Sequence, residues 1–150
     1  MPSLILIRGI PGAGKTTVAK GVRAMFFSQI PAPYPAVHLE ADQFFLDADG
    51  VYTYRGELIG EAHQWCQLSA LQAMKNGRNV IVSNTFTRYN EMQPYLHMAK
   101  EYGYKVQIIE VHGEFESVHN VPAETVKRMK DRFQSTKEIW DIYTKETSGE

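Results

Sequence analysis

Short apolar runs alternate along the chain with segments in which apolar or small residues recur every three or four positions. The apolar runs predict four strands, at residues 3–8, 37–40, 80–82 and 105–111. The helical spacing predicts helices that contain Val18, Val22, Met25 and Phe26, and further helices over 57–75, 92–102 and 122–133. Strands that alternate with helices predict an α/β fold, with a parallel sheet of four or five strands covered by helices on both faces.

Proline and glycine mark where these elements begin and end. The alternating prolines of residues 30–35 cannot continue a helix and predict a connector. Glycines 77 and 103 follow the second and third predicted helices and are suited to helix termination. The last predicted helix starts near Pro122 and ends at Phe133, and the tail of residues 147–150 is expected to be frayed.

Length and composition limit the class of protein. A chain of 150 residues fits one domain spanning 1–150, and 43% hydrophobic with 22% charged residues is ordinary for a globular protein. No apolar run approaches the roughly 20 residues of a membrane span, and the start lacks the features of a secretory signal. Cys66 is the only cysteine, which excludes an internal disulfide and favours a cytoplasmic or other intracellular location. The net charge of −1 means that any contact with nucleic acid must be local.

A phosphate-binding motif lies between the first predicted strand and the first predicted helix. Residues 9–16 match the pattern G-x-x-x-x-G-K-[ST], which predicts the P-loop NTPase or kinase fold. The glycines allow backbone N–H groups to turn toward phosphate oxygens, and the helix N-terminus favours the anion. Lys15 is expected to bridge the outer phosphates of ATP or GTP, and Thr16 to supply a hydroxyl ligand to Mg²⁺. The predicted nucleotide-binding residues are Gly9, Pro11, Gly12, Ala13, Gly14, Lys15, Thr16 and Thr17.

Polar side chains follow the second and third predicted strands. Asp42 lies at the same sheet edge as the motif, where its carboxylate can accept a proton from a substrate hydroxyl; the alternative is a residue that starts a loop or caps a helix. Glu40, two residues earlier, points the same way and is the second candidate. Asn84 stands where many P-loop enzymes carry a metal-organising aspartate. We expect it to contact the metal through water or to bind substrate, with a turn-forming asparagine as the alternative.

The last predicted helix carries three cations, Lys127, Arg128 and Arg132. Arg128 and Arg132 are four residues apart and share a face, so one of them can lie over the γ-phosphate. Together with Lys15 and Asp42 they form the predicted catalytic set. The alternative is a solvated face in which Glu124 pairs with Arg128.

Aromatic and basic residues follow the second predicted strand and could bind an unpaired nucleic-acid base. Tyrosines beside an arginine can stack a base and contact its phosphate, or they can be ordinary core and rim residues. Trp65 is interpreted as a core residue. The predicted substrate-binding residues are Glu40, Tyr52, Tyr54, Arg55, His63, Asn84, Arg88 and Lys127. The remaining histidines show no metal-binding spacing, so no zinc site is expected.

Several motifs together resemble a known family. They are LIRGIPGAGKTT at 6–17, EADQFF at 40–45, DGVY at 49–52, GEAHQW at 60–65, SNTFT at 83–87, EMQPY at 91–95 and HNVP at 119–122. Over residues 4–133 the chain resembles the small P-loop kinase domains related to phage polynucleotide kinase and to NEDD4-binding protein 2. The resemblance implies that Lys15 and Thr16 hold ATP·Mg²⁺, that Asp42 is the general base, and that the helix at Pro122 is a lid.

The chain departs from that family at three positions. Gln43 stands where a second acidic residue is common, Asn84 where an aspartate is common, and Phe45 where polynucleotide kinases of the phage type place an arginine. Similar small kinases act in phage DNA modification, on a hydroxymethyl group of a base such as 5-hydroxymethyluracil, which must leave the helical stack. For a phage-encoded protein the location is the host cytoplasm.

Three functions therefore remain open. The first is a kinase for a nucleic-acid hydroxyl, either a strand-end 5′-hydroxyl or a modified base, with DNA favoured over RNA. The second is a kinase for a nucleoside or another small metabolite. The third is a nucleotide-dependent binding module without catalysis, which the amide of Asn84 in place of a carboxylate would favour.

Overall fold

A computed structural model describes residues 2–27, 36–114 and 121–148 of the chain. Within these ranges the elements follow in the order β1 (Ser3–Arg8), α1 (Lys15–Phe27), β2 (Val37–Leu39), α2 (Ile59–Lys75), β3 (Val80–Asn84), α3 (Tyr89–Tyr102), β4 (Lys105–Glu110), α4 (Ala123–Arg132) and α5 (Thr136–Ser148). Two short 3-10 helices, Ala41–Phe45 and Gly56–Leu58, lie between β2 and α2. The predicted alternation of strands and helices is confirmed, and the proline-rich connector at 30–35 lies outside the described residues.

The four strands form a parallel sheet in the order β2-β3-β1-β4. Since the strands are parallel, their carboxyl ends lie along one edge of the sheet. The glycine-rich loop of residues 9–14 follows β1, Glu40 follows β2, Asn84 ends β3, and Val111 follows β4. Open α/β sheets bind ligands outside this edge. The topology therefore brings the predicted nucleotide-binding loop, Glu40 and Asn84 to one edge of the sheet.

Side chains alternate along each strand, and both faces of the central strands β1 and β3 are buried. Leu4 and Leu6 belong to the core beneath α2, α3 and α5, whereas Ile5 and Ile7 face α1. Burial on both faces explains why β1 is apolar at consecutive positions. Met25 belongs to α1, as predicted, but its side chain is 67% exposed. The buried contacts of α1 come from the residues nearer its start, Val18, Ala19 and Val22.

The predicted ends of α2 and α3 agree with the structure, but the start of α2 does not. Gly77 and Gly103 adopt positive φ angles of 70° and 71°, which glycine tolerates at helix C-termini. The helix predicted at 57–75 begins at Ile59, because Gly56–Leu58 forms a 3-10 turn before it. No helix in the described ranges is long and apolar enough to cross a membrane.

The helix predicted as the last one is followed by another, α5, which the sequence interpretation missed. Ile139 of α5 is fully buried in the main core, and Ile142 and Tyr143 pack against that core. Thr147 and Ser148, expected in a frayed tail, belong to α5, and the Thr147 hydroxyl donates to the Tyr143 carbonyl at 2.9 Å. The spacing i, i+3, i+4 of the three apolar residues was the available signal.

Candidate active site

The loop after β1 has the backbone geometry of a phosphate cradle. Gly12 and Gly14 adopt φ angles of 85° and 96°, a region that only glycine enters easily. The Ala13 N–H donates to the Ile10 carbonyl at 3.1 Å, which closes the turn before α1 begins at Lys15. The loop therefore ends on a helix N-terminus, where backbone N–H groups are free to meet an anion.

The cradle is held between the ends of β3 and β4. The Gly9 N–H donates to the Thr85 carbonyl at 3.3 Å, and the Gly113 N–H donates to the Ala13 carbonyl at 3.0 Å. A Cβ added at Gly9 would lie 2.7 Å from the Val111 carbonyl oxygen. Gly9 does not have a positive φ angle, so backbone conformation does not require glycine there. Glycine is required at this position because a side chain would collide with Val111.

Lys15 and two carboxylates share one electrostatic environment. The Lys15 ammonium donates to the Ile10 carbonyl at 3.1 Å. Burial lowers the pKa of Lys15, while the charges of Glu40 and Asp42 act in the opposite direction. The charges of Glu40 and Asp42 therefore both reach the Lys15 ammonium, and the catalytic roles expected of Lys15 and Asp42 stay predictions.

Glu40 is the centre of a hydrogen-bonded cluster that the sequence interpretation did not foresee. Its Oε1 accepts from the Thr16 hydroxyl at 2.8 Å and from the Ser83 hydroxyl at 2.8 Å, and it lies 3.1 Å from Nε2 of His38. Burial alone would raise the pKa of Glu40, but the hydrogen bonds from His38, Thr16 and Ser83 outweigh it and lower the pKa to about 2. Glu40 is therefore a fixed carboxylate bound to the predicted metal-binding threonine.

Two features of the sequence could have indicated this cluster. His38 and Glu40 are two residues apart at the end of β2, so they point to the same face, and Ser83 lies near the end of the neighbouring strand β3. That β2 and β3 are neighbours is a property of the sheet order, which local pattern does not provide.

Asp42 lies in the first turn of the 3-10 helix that follows β2. It is half-buried, and the residue at the N-cap of that helix is Glu40, so the capping alternative does not apply to Asp42. The Tyr52 hydroxyl donates to Oδ1 of Asp42 at 3.4 Å. Burial raises the pKa of Tyr52 to about 12, and the Asp42 charge adds to that effect, so the phenol stays protonated as a donor.

Asn84 makes structural contacts within the protein, and the substrate or metal contact expected of it stays a prediction. Its Oδ1 accepts the Ala41 N–H at 2.9 Å, and its Nδ2 lies 3.8 Å from the sulfur of Cys66. The side chain is buried, with 8% of its area exposed. Both ends of the amide are thus occupied within the protein, and Asn84 fixes the start of the 3-10 helix that carries Asp42.

The other predicted substrate-binding residues form contacts near the surface. Tyr54 is 56% exposed and its ring lies 5.2 Å from that of Phe45, while Arg55 pairs with Glu57 at 2.8 Å. Trp65 packs against the main core, in agreement with its interpretation as a core residue. Three further predicted residues are exposed: His63 on α2, Arg88 at the start of α3, and Lys127 on α4.

Helix α4 contributes a cation to a cleft beside the cradle. The cleft has a volume of about 290 Å³ and is lined by Ile10, Val111, His112, Gly113, Glu114, Lys130 and Phe133. Lys130 is exposed and was not among the predicted cations. Of the two predicted arginines, Arg132 donates to the Thr87 hydroxyl at 3.1 Å and Arg128 donates to the Thr125 hydroxyl at 3.3 Å. Their place over the γ-phosphate stays a prediction.

A buried arginine connects the strand before the cradle with α4 and α5. Arg8 is fully buried; its guanidinium donates to the Phe86 carbonyl at 2.8 Å, to Glu110 at 3.0 Å and to Thr136 at 3.1 Å. It also lies 4.1 Å from the centre of the Phe133 ring. Phe86 has a φ of 47°, uncommon for a residue other than glycine. The Arg8 hydrogen bonds hold this turn in place and tie the cradle strand to the end of the predicted lid.

Comparison with known proteins agrees with this geometry. The model of the AAA_33 family, described as an AAA domain, matches residues 4–136. The chain is 29% identical over 141 residues to human NEDD4-binding protein 2. The aligned region covers 87% of this chain and 8% of that protein. The predicted resemblance to NEDD4-binding protein 2 is thus confirmed, whereas the link to phage DNA-modification kinases stays a prediction.

Two solved structures have a similar fold. A chain of the Pnkp1/Rnl/Hen1 RNA repair complex superposes with a TM-score of 0.62 and 21% identity, over 91% of this chain and 45% of that one. APS kinase CysC from Mycobacterium tuberculosis superposes with a TM-score of 0.57 and 13% identity, over 89% of this chain and 98% of that one. The chain thus spans under half of the first structure and a small part of the human relative. By its family match and its strand, cradle and helix geometry, the chain belongs to the AAA_33 family and has the P-loop kinase-type fold.

Proposed function

We propose that the chain is an ATP-dependent kinase that transfers the γ-phosphate to a hydroxyl group of a nucleic acid. The observation that carries this proposal is that the charges of Glu40 and Asp42 both act on Lys15 of the cradle, while the Thr16 hydroxyl donates to Glu40. Phosphoryl transfer requires positioning and charge stabilisation more than covalent chemistry, and a cradle with a cation and a nearby carboxylate supplies both. ATP is the preferred donor, and GTP would fit the same phosphate contacts.

The cradle and the adjoining cleft suit a nucleoside triphosphate. Backbone N–H groups of Gly12, Gly14 and the first turn of α1 would bind the phosphates, and Lys15 would contact the outer two. The cleft beside Ile10 has room for the nucleoside, with Lys130 and Phe133 on the α4 side. A hydroxyl and a carboxylate, those of Thr16 and Glu40, are hard oxygen donors of the kind that Mg²⁺ prefers. When bound, Mg²⁺ would neutralise charge on the β- and γ-phosphates.

Asp42 would act as the general base. Its carboxylate would accept the proton of the acceptor hydroxyl while the oxygen attacks the γ-phosphorus and the bond to the bridging β,γ-oxygen breaks, which releases ADP. Lys15 would stabilise the negative charge on the transferred group and on the leaving phosphate. The hydrogen bond from Tyr52 would hold the orientation of Asp42.

Two observations favour a nucleic acid as the acceptor. The fold is similar to a chain of an RNA repair complex, and the exposed ring of Tyr54 near Asp42 offers a surface on which a base can stack. Arg55, His63 and Lys127 are exposed, so they are available for phosphate contacts, as is Arg88. A near-neutral net charge is compatible with contact to a strand end or a single extruded base.

A small-molecule kinase is the second candidate. The chain spans 98% of APS kinase CysC, whose fold it shares. A small acceptor would bind beside Asp42 and would not require the exposed aromatic residues as a stacking surface. The two candidates therefore differ in whether the acceptor must be a polymer.

Labelled ATP offered with a panel of acceptors would test the proposal. The panel contains 5′-hydroxyl DNA, 5′-hydroxyl RNA, DNA with 5-hydroxymethyluracil, free nucleosides and adenosine phosphosulfate. We expect label on a polymer, with DNA preferred. Label confined to the small molecules would refute the nucleic-acid acceptor, and the absence of acceptor-stimulated ADP formation would favour a non-catalytic binding module.

Asp42→Asn tests the assignment of the base. We expect turnover to fall by about 100-fold or more, since general-base catalysis contributes on that scale. Nucleotide affinity should stay within a few-fold, because the cradle is intact. Asp141→Asn, at an exposed position of α5 that pairs with Lys137, is the matched control and should leave both quantities unchanged. Turnover by Asp42→Asn within a few-fold of wild type would show that another group is the base.

A further inference from the structure

We propose that Glu40 is the carboxylate that positions Mg²⁺ beside the cradle, together with the hydroxyl of Thr16. This inference rests on the proposed kinase function and extends it to a metal site. It places the metal-organising carboxylate after β2, whereas the sequence analysis expected a metal-organising residue after β3. It also gives Glu40 a role different from the substrate contact that was first expected of it.

The first argument is the orientation of the Thr16 hydroxyl. Its single proton is donated to Oε1 of Glu40 at 2.8 Å. With the proton directed at the carboxylate, the lone pairs of the Thr16 oxygen are available on its other side. That oxygen adjoins the first turn of α1, where the phosphates would lie. Glu40 therefore sets the hydroxyl in the orientation that a cation requires.

The second argument is the state of the Glu40 carboxylate itself. The three contacts from Thr16, Ser83 and His38 all reach Oε1, and within the described ranges Oε2 accepts no hydrogen bond. The side chain is 18% exposed, so it is enclosed by the protein but retains access to solvent. A carboxylate held by one oxygen, with the second oxygen directed away from its donors, can receive a metal-bound water.

The third argument is that β3 does not supply a carboxylate. Asn84 carries no carboxylate, and its Oδ1 already accepts the Ala41 N–H while its Nδ2 is directed to Cys66. Ser83 donates to Glu40, so β3 supports the acidic residue of the neighbouring strand. The register Leu39↔Val82 places the ends of β2 and β3 side by side. The carboxylate is thus displaced by one strand within the same sheet edge.

A single carboxylate is sufficient for this metal. Mg²⁺ is commonly bound by one or two carboxylates together with substrate phosphates and water. In the described part of the chain, no three His, Cys, Asp or Glu side chains form a group that could hold a metal ion by themselves. The site would therefore assemble only when the nucleotide is present. Asn84 in place of an acidic residue no longer argues for a non-catalytic module.

The test is a comparison of nucleotide affinity with and without Mg²⁺ in Glu40→Gln. Titration calorimetry with a non-hydrolysable ATP analogue gives both affinities without turnover. We expect the affinity without metal to match wild type and the tightening by Mg²⁺ to fall about 10- to 100-fold, as for other groups that orient metal ligands. Mn²⁺ with the same analogue should show a weakened bound signal by electron paramagnetic resonance. Glu101→Gln, exposed on α3, is the matched control.

Two further variants keep the test decisive if Glu40→Gln does not fold. Glu40→Asp retains the charge and should recover part of the tightening by Mg²⁺. Ser83→Ala retains the carboxylate but removes one of its donors, and should weaken the tightening less than Glu40→Gln does.

The possible results separate this inference from the proposed function. Wild-type tightening by Mg²⁺ in Glu40→Gln would overturn the inference and leave the kinase proposal standing. Loss of affinity in the absence of metal would also overturn it, because Glu40 would then be shaping the cradle. Failure of the wild-type protein to bind the analogue would refute both proposals together.

Discussion

Replacing Gly9 with alanine would test how closely the cradle is packed. The added Cβ would lie 2.7 Å from the Val111 carbonyl oxygen, 3.1 Å from Cβ of Ala13 and 3.4 Å from Cγ of Lys15. Real Cβ atoms essentially never approach another heavy atom closer than 3.0 Å. The backbone at Val111 or the cradle must therefore move.

That movement is costly because both sides are held by hydrogen bonds. The Val111 N–H donates to the Arg8 carbonyl at 2.8 Å, and the Gly113 N–H donates to the Ala13 carbonyl at 3.0 Å. Overpacking of this kind costs about 1–3 kcal/mol of unfolding free energy. In a chain of 150 residues, each kcal/mol corresponds to a decrease in Tm of about 2–4 °C. A displaced cradle should also bind nucleotide more weakly.

Gly21→Ala is the matched control for the same chemical change. Gly21 lies within α1, is exposed, and has nothing within 4 Å of an added Cβ. Alanine there should raise the unfolding free energy by about 0.5–1 kcal/mol. Urea denaturation of both variants, with nucleotide titration, would measure the difference. If Gly9→Ala is as stable as Gly21→Ala, the close packing at the cradle does not hold and the reasoning is refuted.

Two further predictions concern stability. Asn84→Ala leaves the buried Ala41 N–H without its acceptor and should lower the unfolding free energy by about 1–3 kcal/mol. Urea denaturation measures this change, and an unfolding free energy equal to that of wild type would mean that Asn84 does not stabilise the fold. Burial acts to raise the pKa of Glu110, but the hydrogen bond from Thr136 and the charge of Arg8 outweigh it and hold the pKa below its usual 4.5. Its contribution to stability is therefore present above the unfolded pKa of about 4.3 and is lost as the pH falls through the lower folded value. Glu110→Gln should flatten the acid limb of a stability-against-pH curve, and curves of equal slope would contradict the assignment.

Much of the fold was accessible from local pattern. Each strand of the sheet is a short apolar run, and the ends of α2 and α3 coincide with glycines at positive φ. The cradle was predicted residue by residue, because its geometry depends on glycines, a lysine and a threonine that are consecutive in the chain. Helix α5 was missed although the spacing of its apolar residues was visible in the sequence. Its position in the fold is fixed by the burial of Ile139 in the core.

The site beyond the cradle depended on contacts between segments that are distant in sequence. Glu40 was identified as a candidate, but its bonds to Thr16 and Ser83 span 24 and 43 residues. Arg128 and Arg132 were chosen because they share a helix face, and Lys130 of the same helix lines the cleft beside the cradle. A helical pattern shows which residues share a face, but it does not show what that face contacts.

The amino-acid sequence by itself determined the order of strands and helices, the cradle, and the presence of acidic residues after β2, since each depends on neighbours along the chain. The tertiary structure alone decided which of those residues meet. The sheet order β2-β3-β1-β4 places Glu40 beside Ser83 and Thr16, and it directs Asn84 inward to the Ala41 N–H. The physical reason is that strand order and helix docking arise from the burial of whole faces, so the partner of a polar side chain at the sheet edge is set by packing elsewhere in the molecule.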